Sequence, residues 1–476
     1  MSIDEGALRT IIRDVIQKLD GPQGGAGSGP QVMISRQPAG GMGLFEDIDD
    51  AVAAARIAFE QYRGMGMEVR AKVIANLREL MFRNVVSYAE RTVAETGIGR
   101  VDHKITKNRV VASKTPGLEV LAPQAFTGDY GLSLHEWAPF GVISSITPTT
   151  NVTETLLNNG ISMLAGGNAV VFNVHPSAKR ISAEFIRDAN EAIVAAGAPE
   201  NLMACVVEPT IESANRLMGH KGTRLVVVTG GPAVVKAAMQ SGKRAICAGP
   251  GNPPVVVDDT ADPAHAARSI VQGAGLDNNI VCIVEKEIIA HERIADQLIE
   301  EMSRAGAHQV RGRDADRLVQ FLLADPTHVK REYVGKNAAK ILKDAGIPVS
   351  GDPPIAFLEV DSDQHPLMQI EQLMPIIPLY RVRTTDEAIR TAVEVEGGRR
   401  HTAVMHSKNI DALHKMSVAC DCSIFVKNGP SYNGTGFEGE GYTAWTIAGP
   451  TGEGMTNART FVRLRRCVLK DHFRIS

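Results

Sequence analysis

The spacing of apolar positions changes character along the chain. In residues 1–20, Ile3, Ala7, Leu8, Ile11, Ile12, Val15, Ile16 and Leu19 recur at steps of three and four, with Arg9, Arg13, Asp14, Gln17 and Lys18 between them, which predicts an amphipathic helix. Residues 21–39 open with Gly21-Pro-Gln-Gly-Gly-Ala-Gly-Ser-Gly-Pro30, a segment with nothing to bury that reads as a flexible linker. A helix on such a tether either packs back on its own domain or a sister subunit, or offers its apolar stripe to a partner's groove. Simple packing has no use for the tether, so docking is the expectation.

Helical period dominates from Asp47 to about Ala94, where Ile74, Leu77, Leu80 and Met81 share one face. Short apolar runs at 141–146, 168–172, 202–207 and 225–228 then alternate with candidate helices at 153–164, 178–196, 210–219 and 232–240. Buried parallel strands joined by crossover helices read this way, and such a sheet suits a nucleotide. A second α/β region has strands at 254–257, 285–290, 403–405 and 423–426 and helices near 262–275, 291–305 and 386–395. Residues 132–137 and 460–469 alternate as two further strands, far apart in sequence, which suggests a small joint sheet at a subunit contact. The expected fold class is α/β: a Rossmann-like domain from 40–123 and 140–247, a second α/β domain at 248–440, and oligomerisation strands from 124–139 and 455–476.

At 476 residues, a rule of about 150 per domain allows roughly three units. The 51 Lys and Arg against 54 Asp and Glu leave a net charge of -3, which gives no basic field for nucleic acid or an anionic membrane. A charged fraction of 22% and the lack of any apolar run of about 18 residues exclude a membrane span. The six cysteines make no disulfide framework, and Asp4, Glu5, Arg9 and Arg13 interrupt any secretory segment, so the expected compartment is reducing and cytoplasmic.

Cys205 and Cys467 sit in apolar runs and read as packing residues; Cys420 and Cys422 form a C-x-C without a matching pair, so strand packing is expected and no metal. Cys282 differs, because Gly273-Ala-Gly275 and Asp277-Asn278-Asn279 precede it in a loop where a thiol can face a cleft as a nucleophile, although a core cysteine is the other reading. Asn151 ends Thr147-Pro148-Thr149-Thr150-Asn151, just after the strand 141–146; its amide can hold an oxyanion or serve a turn. Thr229-Gly230-Gly231-Pro232 opens a helix after a strand, where backbone N–H groups meet a nucleotide.

These residues, with Ala248-Gly-Pro-Gly-Asn-Pro-Pro-Val-Val-Val257, Asp277-Asn-Asn-Ile-Val-Cys-Ile-Val-Glu-Lys-Glu287, Glu371-Gln-Leu-Met-Pro375 and Ile447-Ala-Gly-Pro-Thr-Gly-Glu453, follow the order seen in aldehyde dehydrogenases. Over residues 40–470 the chain resembles the CoA-acylating branch, the propionaldehyde and acetaldehyde dehydrogenases of bacterial microcompartments. The helix at 1–20 resembles the encapsulation peptides that direct such enzymes into a protein shell.

The resemblance implies Cys282 as nucleophile, Asn151 as oxyanion donor beside the Cys282 N–H, and His401 in Arg400-His401-Thr402 as a catalytic histidine. It implies Thr147, Pro148, Thr229, Gly230, Gly231 and Glu371 at the NAD site, with the register leaving Gln372 open for the ribose. Asn173 stands where the family often has a ribose-binding lysine, which leaves NAD+ against NADP+ open. Aligned with the family's E-L-G-G-K-S-P segment, Ala248 replaces the general-base glutamate of hydrolytic relatives. Water, with a pKa of about 15.7, needs a base to attack a thioester, whereas a thiol near about 8.5 already supplies some thiolate. The implied reaction therefore oxidises a short-chain aldehyde with NAD+ and passes the acyl group to coenzyme A, in a homodimer or homotetramer housed in a microcompartment. A hydrolytic enzyme using Glu371 or Glu285 as base, and an idle cargo or adaptor protein, are the alternatives.

Overall fold

A computed structural model describes residues 42–475; the helix expected at 1–20 and the linker at 21–39 lie outside the described residues. Two parallel sheets organise what is described. The first has six strands in the order Leu44–Phe45, Met203–Val206, Ala169–Asn173, Val142–Ile146, Leu225–Thr229, Arg244–Ala248. The expected strands at 141–146, 168–172, 202–207 and 225–228 are all present within a residue or so. Valine-rich runs buried on both faces form them, as parallel strands under helices require.

Chain order fixes where this sheet opens. From Val142–Ile146 the chain moves outward through its neighbours on one side, then returns to lay Leu225–Thr229 on the other. The switch point lies between these two strands, and their carboxyl ends part there into a crevice. The helix Val152–Ala165 is buried along its whole length beneath the sheet. Helix Met67–Thr96 packs over it, with Ile74, Leu77, Leu80 and Met81 inward as their spacing predicts, while helix Ile48–Arg63 packs directly on the strands Ala169–Asn173 and Met203–Val206.

The second sheet has seven parallel strands in the order His308–Val310, Ala356–Val360, Ile376–Val382, Glu287–His291, Pro254–Val257, Thr402–His406, Ile424–Lys427. Separate apolar clusters cover its faces, one around Val255, Ile288 and Phe357, the other around Val256, Ile289 and Leu358. Alternate residues of the same strands feed opposite clusters because side chains point to the two faces in turn. The third sheet is antiparallel and joins Gln124–Gly128, Gly131–Pro139 and Val462–Lys470.

Several expectations need correction. The joint sheet has three strands, not two, and in the tail only Val462–Lys470 belongs to it; Gly454–Met455 pairs with Ile447–Ala448 instead. The strand expected at 285–290 starts at Glu287, because the residues before it turn around Cys282. Cys420 ends the helix Ile410–Cys420 and Cys422 lies in the turn after it, so neither is strand packing. Cys467 is exposed on the tail strand, whose apolar alternation faces outward in a single chain. The helix Val101–Lys114 had no apolar signal, since its buried face carries Lys104, Lys107 and Asn108.

Candidate active site

A cleft of about 790 Å³ runs from the crevice of the first sheet to the Cys282 loop. Thr147 and Pro148 follow the strand Val142–Ile146, Asn173 ends its neighbour, and Thr229, Gly230 and Gly231 end the strand across the switch point; all line the cleft. Gly231 caps the helix Pro232–Met239, and the space above its Cα is open. Thr229 is held by a 2.8 Å hydrogen bond between its hydroxyl and that of Thr446, and the Gly230 N–H donates to the Ala248 carbonyl. Thr149 Oγ1 on the same wall is buried without a protein partner. An open switch point, a glycine at a helix start and an orphaned hydroxyl fit a dinucleotide. Asn173 is occupied locally, accepting from Ser213 Oγ at 2.6 Å.

Cys282 stands at the far end, on a loop built from strained backbone. Asp277, Asn278 and Asn279 have φ of 51°, 55° and 65°, in the left-handed region that asparagine and aspartate tolerate best. Each is clamped by its side chain. Asn278 Nδ2 donates to Gly335 O and Asn337 Oδ1, and Asn279 Nδ2 donates to Ala274 O and Glu285 O. Lys286 Nζ, fully buried, donates to Asn279 O, Asn279 Oδ1 and Val281 O. Gly251 passes so close that a Cβ there would lie 2.4 Å from the Cys282 carbonyl oxygen, which only glycine permits. Burial, reinforced by the Glu371 carboxylate and opposed by Lys286, pushes the Cys282 thiol up to about 12.

Asn151 is the residue before helix Val152–Ala165 and shares the cleft wall with Cys282. It is also the meeting point of a buried charge cluster that sequence reading missed. Lys107 Nζ lies 2.7 Å from Asn151 Oδ1, 2.6 Å from Asp277 Oδ2 and 3.0 Å from Glu154 Oε1. Lys104, one turn earlier, reaches Asp277 Oδ2 at 3.0 Å. The other Asp277 oxygen accepts the Arg100 N–H at 2.7 Å. Burial alone would neutralise these groups, but the two ammoniums hold the Asp277 carboxyl down at about 2. The only legible signal was the lysine pair at i, i+3 in a segment without an apolar stripe.

Glu371 lines the cleft, and its Oε1 accepts the Gly251 N–H at 3.1 Å. Gln372 is turned into the core, where its amide donates to Leu367 O, so of the two only Glu371 faces the cleft. Burial raises the Glu371 pKa. Glu371 is the one carboxylate on the cleft wall among the described residues. Glu285 is not on that wall: it is buried, and its two oxygens accept the Ser431 N–H and hydroxyl at 2.8 and 2.7 Å. Ala248 is buried at the end of its strand, just before Gly249 and Pro250, which do line the cleft, and it brings no carboxylate to that wall. His401 is buried behind Gly251 rather than on the cleft wall; its Nδ1 lies 2.9 Å from Thr402 Oγ1 and its Nε2 has no partner. Burial, with Lys286 adding to it, lowers its pKa to about 4 and keeps it neutral.

The sequence profile of the aldehyde dehydrogenase family matches residues 42–444. The chain belongs to that family. Its relatives place it in the CoA-acylating branch. It is 49% identical to an acetylating acetaldehyde dehydrogenase of Salmonella typhimurium over 93% of this chain and 96% of that protein. It is 47% identical, with a TM-score of 0.88, to the Rhodopseudomonas palustris propionaldehyde dehydrogenase solved with bound CoA and an acylated cysteine; that match covers 90% of this chain and 98% of the other. A propionaldehyde dehydrogenase from the fucose utilisation microcompartment of Clostridium phytofermentans matches at 43% identity and a TM-score of 0.89, over 91% of this chain and all (100%) of that one.

Proposed function

We propose that this protein is a CoA-acylating aldehyde dehydrogenase that oxidises a short-chain aldehyde of the propionaldehyde or acetaldehyde type to its acyl-CoA with NAD+. The observation that carries the reading is a cleft in which Cys282 and Asn151 share one wall while Ala248 supplies no base for water. In the proposed sequence the Cys282 thiolate attacks the aldehyde carbon, and the oxyanion is held by Asn151 Nδ2 and the Cys282 N–H. Bound NAD+, cradled by Thr147, Pro148, Thr229, Gly230, Gly231 and Glu371, supplies the hydride acceptor. Loss of hydride leaves an acyl thioester on Cys282. The CoA thiol attacks it, the carbonyl reforms, and Cys282 is released as thiolate. We keep His401 as the base for the CoA thiol proton: it is neutral and its Nε2 has no partner, but it lies behind Gly251, so it takes up that proton only when the Gly251 segment opens to the cleft.

We further assign residues 40–123 and 140–247 to the nucleotide domain, 248–440 to the catalytic domain, and the strands within 124–139 and 455–476 to a subunit contact that makes a homodimer or homotetramer. Exposed Phe126, Leu464 and Val468 on that sheet support the contact. Residues 1–20 are the docking helix for a microcompartment shell protein, and residues 21–39 its linker; the spacing of their apolar positions supports this.

The test is NADH formation from propionaldehyde and NAD+ by the purified protein with and without CoA. A sustained rate only with CoA is expected, with a single burst of acyl-enzyme when CoA is omitted. Equal sustained rates in both would make water the acceptor and Glu371 its base.

A further inference from the structure

Resting on this reading, the charge cluster beneath Asn151 assigns a further residue to the reaction. We propose that Lys107 is a positioning residue that sets the orientation of the Asn151 amide and so builds the side-chain half of the oxyanion hole. The two ends of an asparagine amide differ by one atom, and only the end bearing hydrogens can stabilise an oxyanion. Turned the other way, the carbonyl would face the developing negative charge and repel it. Something must therefore choose between the two orientations.

Lys107 makes that choice because an ammonium only donates. Its Nζ lies 2.7 Å from the Asn151 side chain, so the atom facing it is Oδ1, whatever else the network does. Asn151 Nδ2 then points away from Lys107, with one 3.3 Å contact to Thr150 Oγ1 and its remaining hydrogen free. Lys107 itself is fixed by being 3% exposed, by Asp277 at 2.6 Å and Glu154 at 3.0 Å, and by lying 5.5 Å from the centre of the Trp445 ring. Asp277 brings a second consequence, since it belongs to the loop that carries Cys282. One cation thus ties the amide from the end of the first sheet to the strained backbone that presents the thiol. Its charge is balanced by buried carboxylates, so it lends orientation without a free positive charge that would bind the ground state and transition state alike.

The experiment is a double-mutant cycle with Asn151, read in steady-state propionaldehyde oxidation with NAD+ and CoA and checked by thermal unfolding. Lys107→Met is expected to lower kcat by about 10- to 100-fold, because a misoriented oxyanion donor forfeits most of what a deleted one does. The KM for propionaldehyde should stay within about threefold, since the interaction is made in the transition state. In an Asn151→Ala background the same change should cost less than about threefold, because there is no amide left to orient. Removing one cation leaves Glu154 uncompensated, so Lys107→Met/Glu154→Gln, which removes the pair together, is run alongside and should show the same kcat loss at near-native stability. Equal losses in both Asn151 backgrounds, or no loss, would overturn the role of Lys107. Full activity of Asn151→Ala alone would instead overturn the oxyanion assignment on which it rests.

Discussion

Cys282 combines two properties that pull in opposite directions. It faces the cleft as a nucleophile should, yet burial and the neighbouring Glu371 carboxylate disfavour its thiolate and push it up to about 12, well above an ordinary cysteine. Since only the thiolate reacts, alkylation of the unliganded enzyme by iodoacetamide is expected to keep rising through about pH 9 without a plateau. Glu371→Gln removes one of the two causes, so its alkylation profile should move to lower pH. A wild-type profile levelling off near about pH 8 would contradict this account. Cys282→Ala should abolish turnover while NAD+ still quenches protein fluorescence; retained turnover would remove Cys282 from the mechanism. At this scale the sequence singled out Cys282 and Asn151 as candidates through local context, and the family resemblance added Ala248 at the position of the hydrolytic base. Lys107 was invisible, because its partners lie 44, 47 and 170 residues away and nothing in a single sequence joins them.

The helix Val101–Lys114 shows how an element can be hidden by its own task. Its inward face carries Lys104, Lys107 and Asn108, so the apolar period that reveals other helices is absent. It begins just after Gly99, whose φ is +79° and whose missing side chain leaves room for Asp277: a Cβ there would lie 2.3 Å from Asp277 Oδ1. Gly99→Ala must therefore strain the backbone and displace the carboxylate that holds both lysines. A loss of about 1–3 kcal/mol is expected, measured as a lower urea midpoint. Lower kcat should accompany it, and an unchanged midpoint with unchanged kcat would show that the Asp277 clamp is dispensable. The valine-rich strands, by contrast, were legible within a residue or so, because burial on both faces leaves a continuous apolar run.

For the whole molecule the open questions concern what it touches. Deleting residues 1–30 is expected to leave the rate in solution unchanged while abolishing co-sedimentation with shells; loss of subunits instead would make that segment a packing helix. On the antiparallel sheet, Leu464→Asp with Val468→Asp should turn an oligomer into monomers by light scattering, since both side chains are more than half exposed in a single chain, at 52% and 59%. The sequence alone determined the two α/β layers, the polar glycine-flanked loop that carries Cys282 and the glycine turns beside the nucleotide crevice, because each is written in residues close together along the chain. Tertiary structure decided the rest: that Glu371 and not Gln372 faces the cleft, that Glu285 is tied to Ser431 away from it, that His401 stands behind Gly251, and that Lys107 reaches Asn151. Those are contacts between distant segments, set by which strand neighbours which and by buried charges that hold their places only when folding brings their partners together.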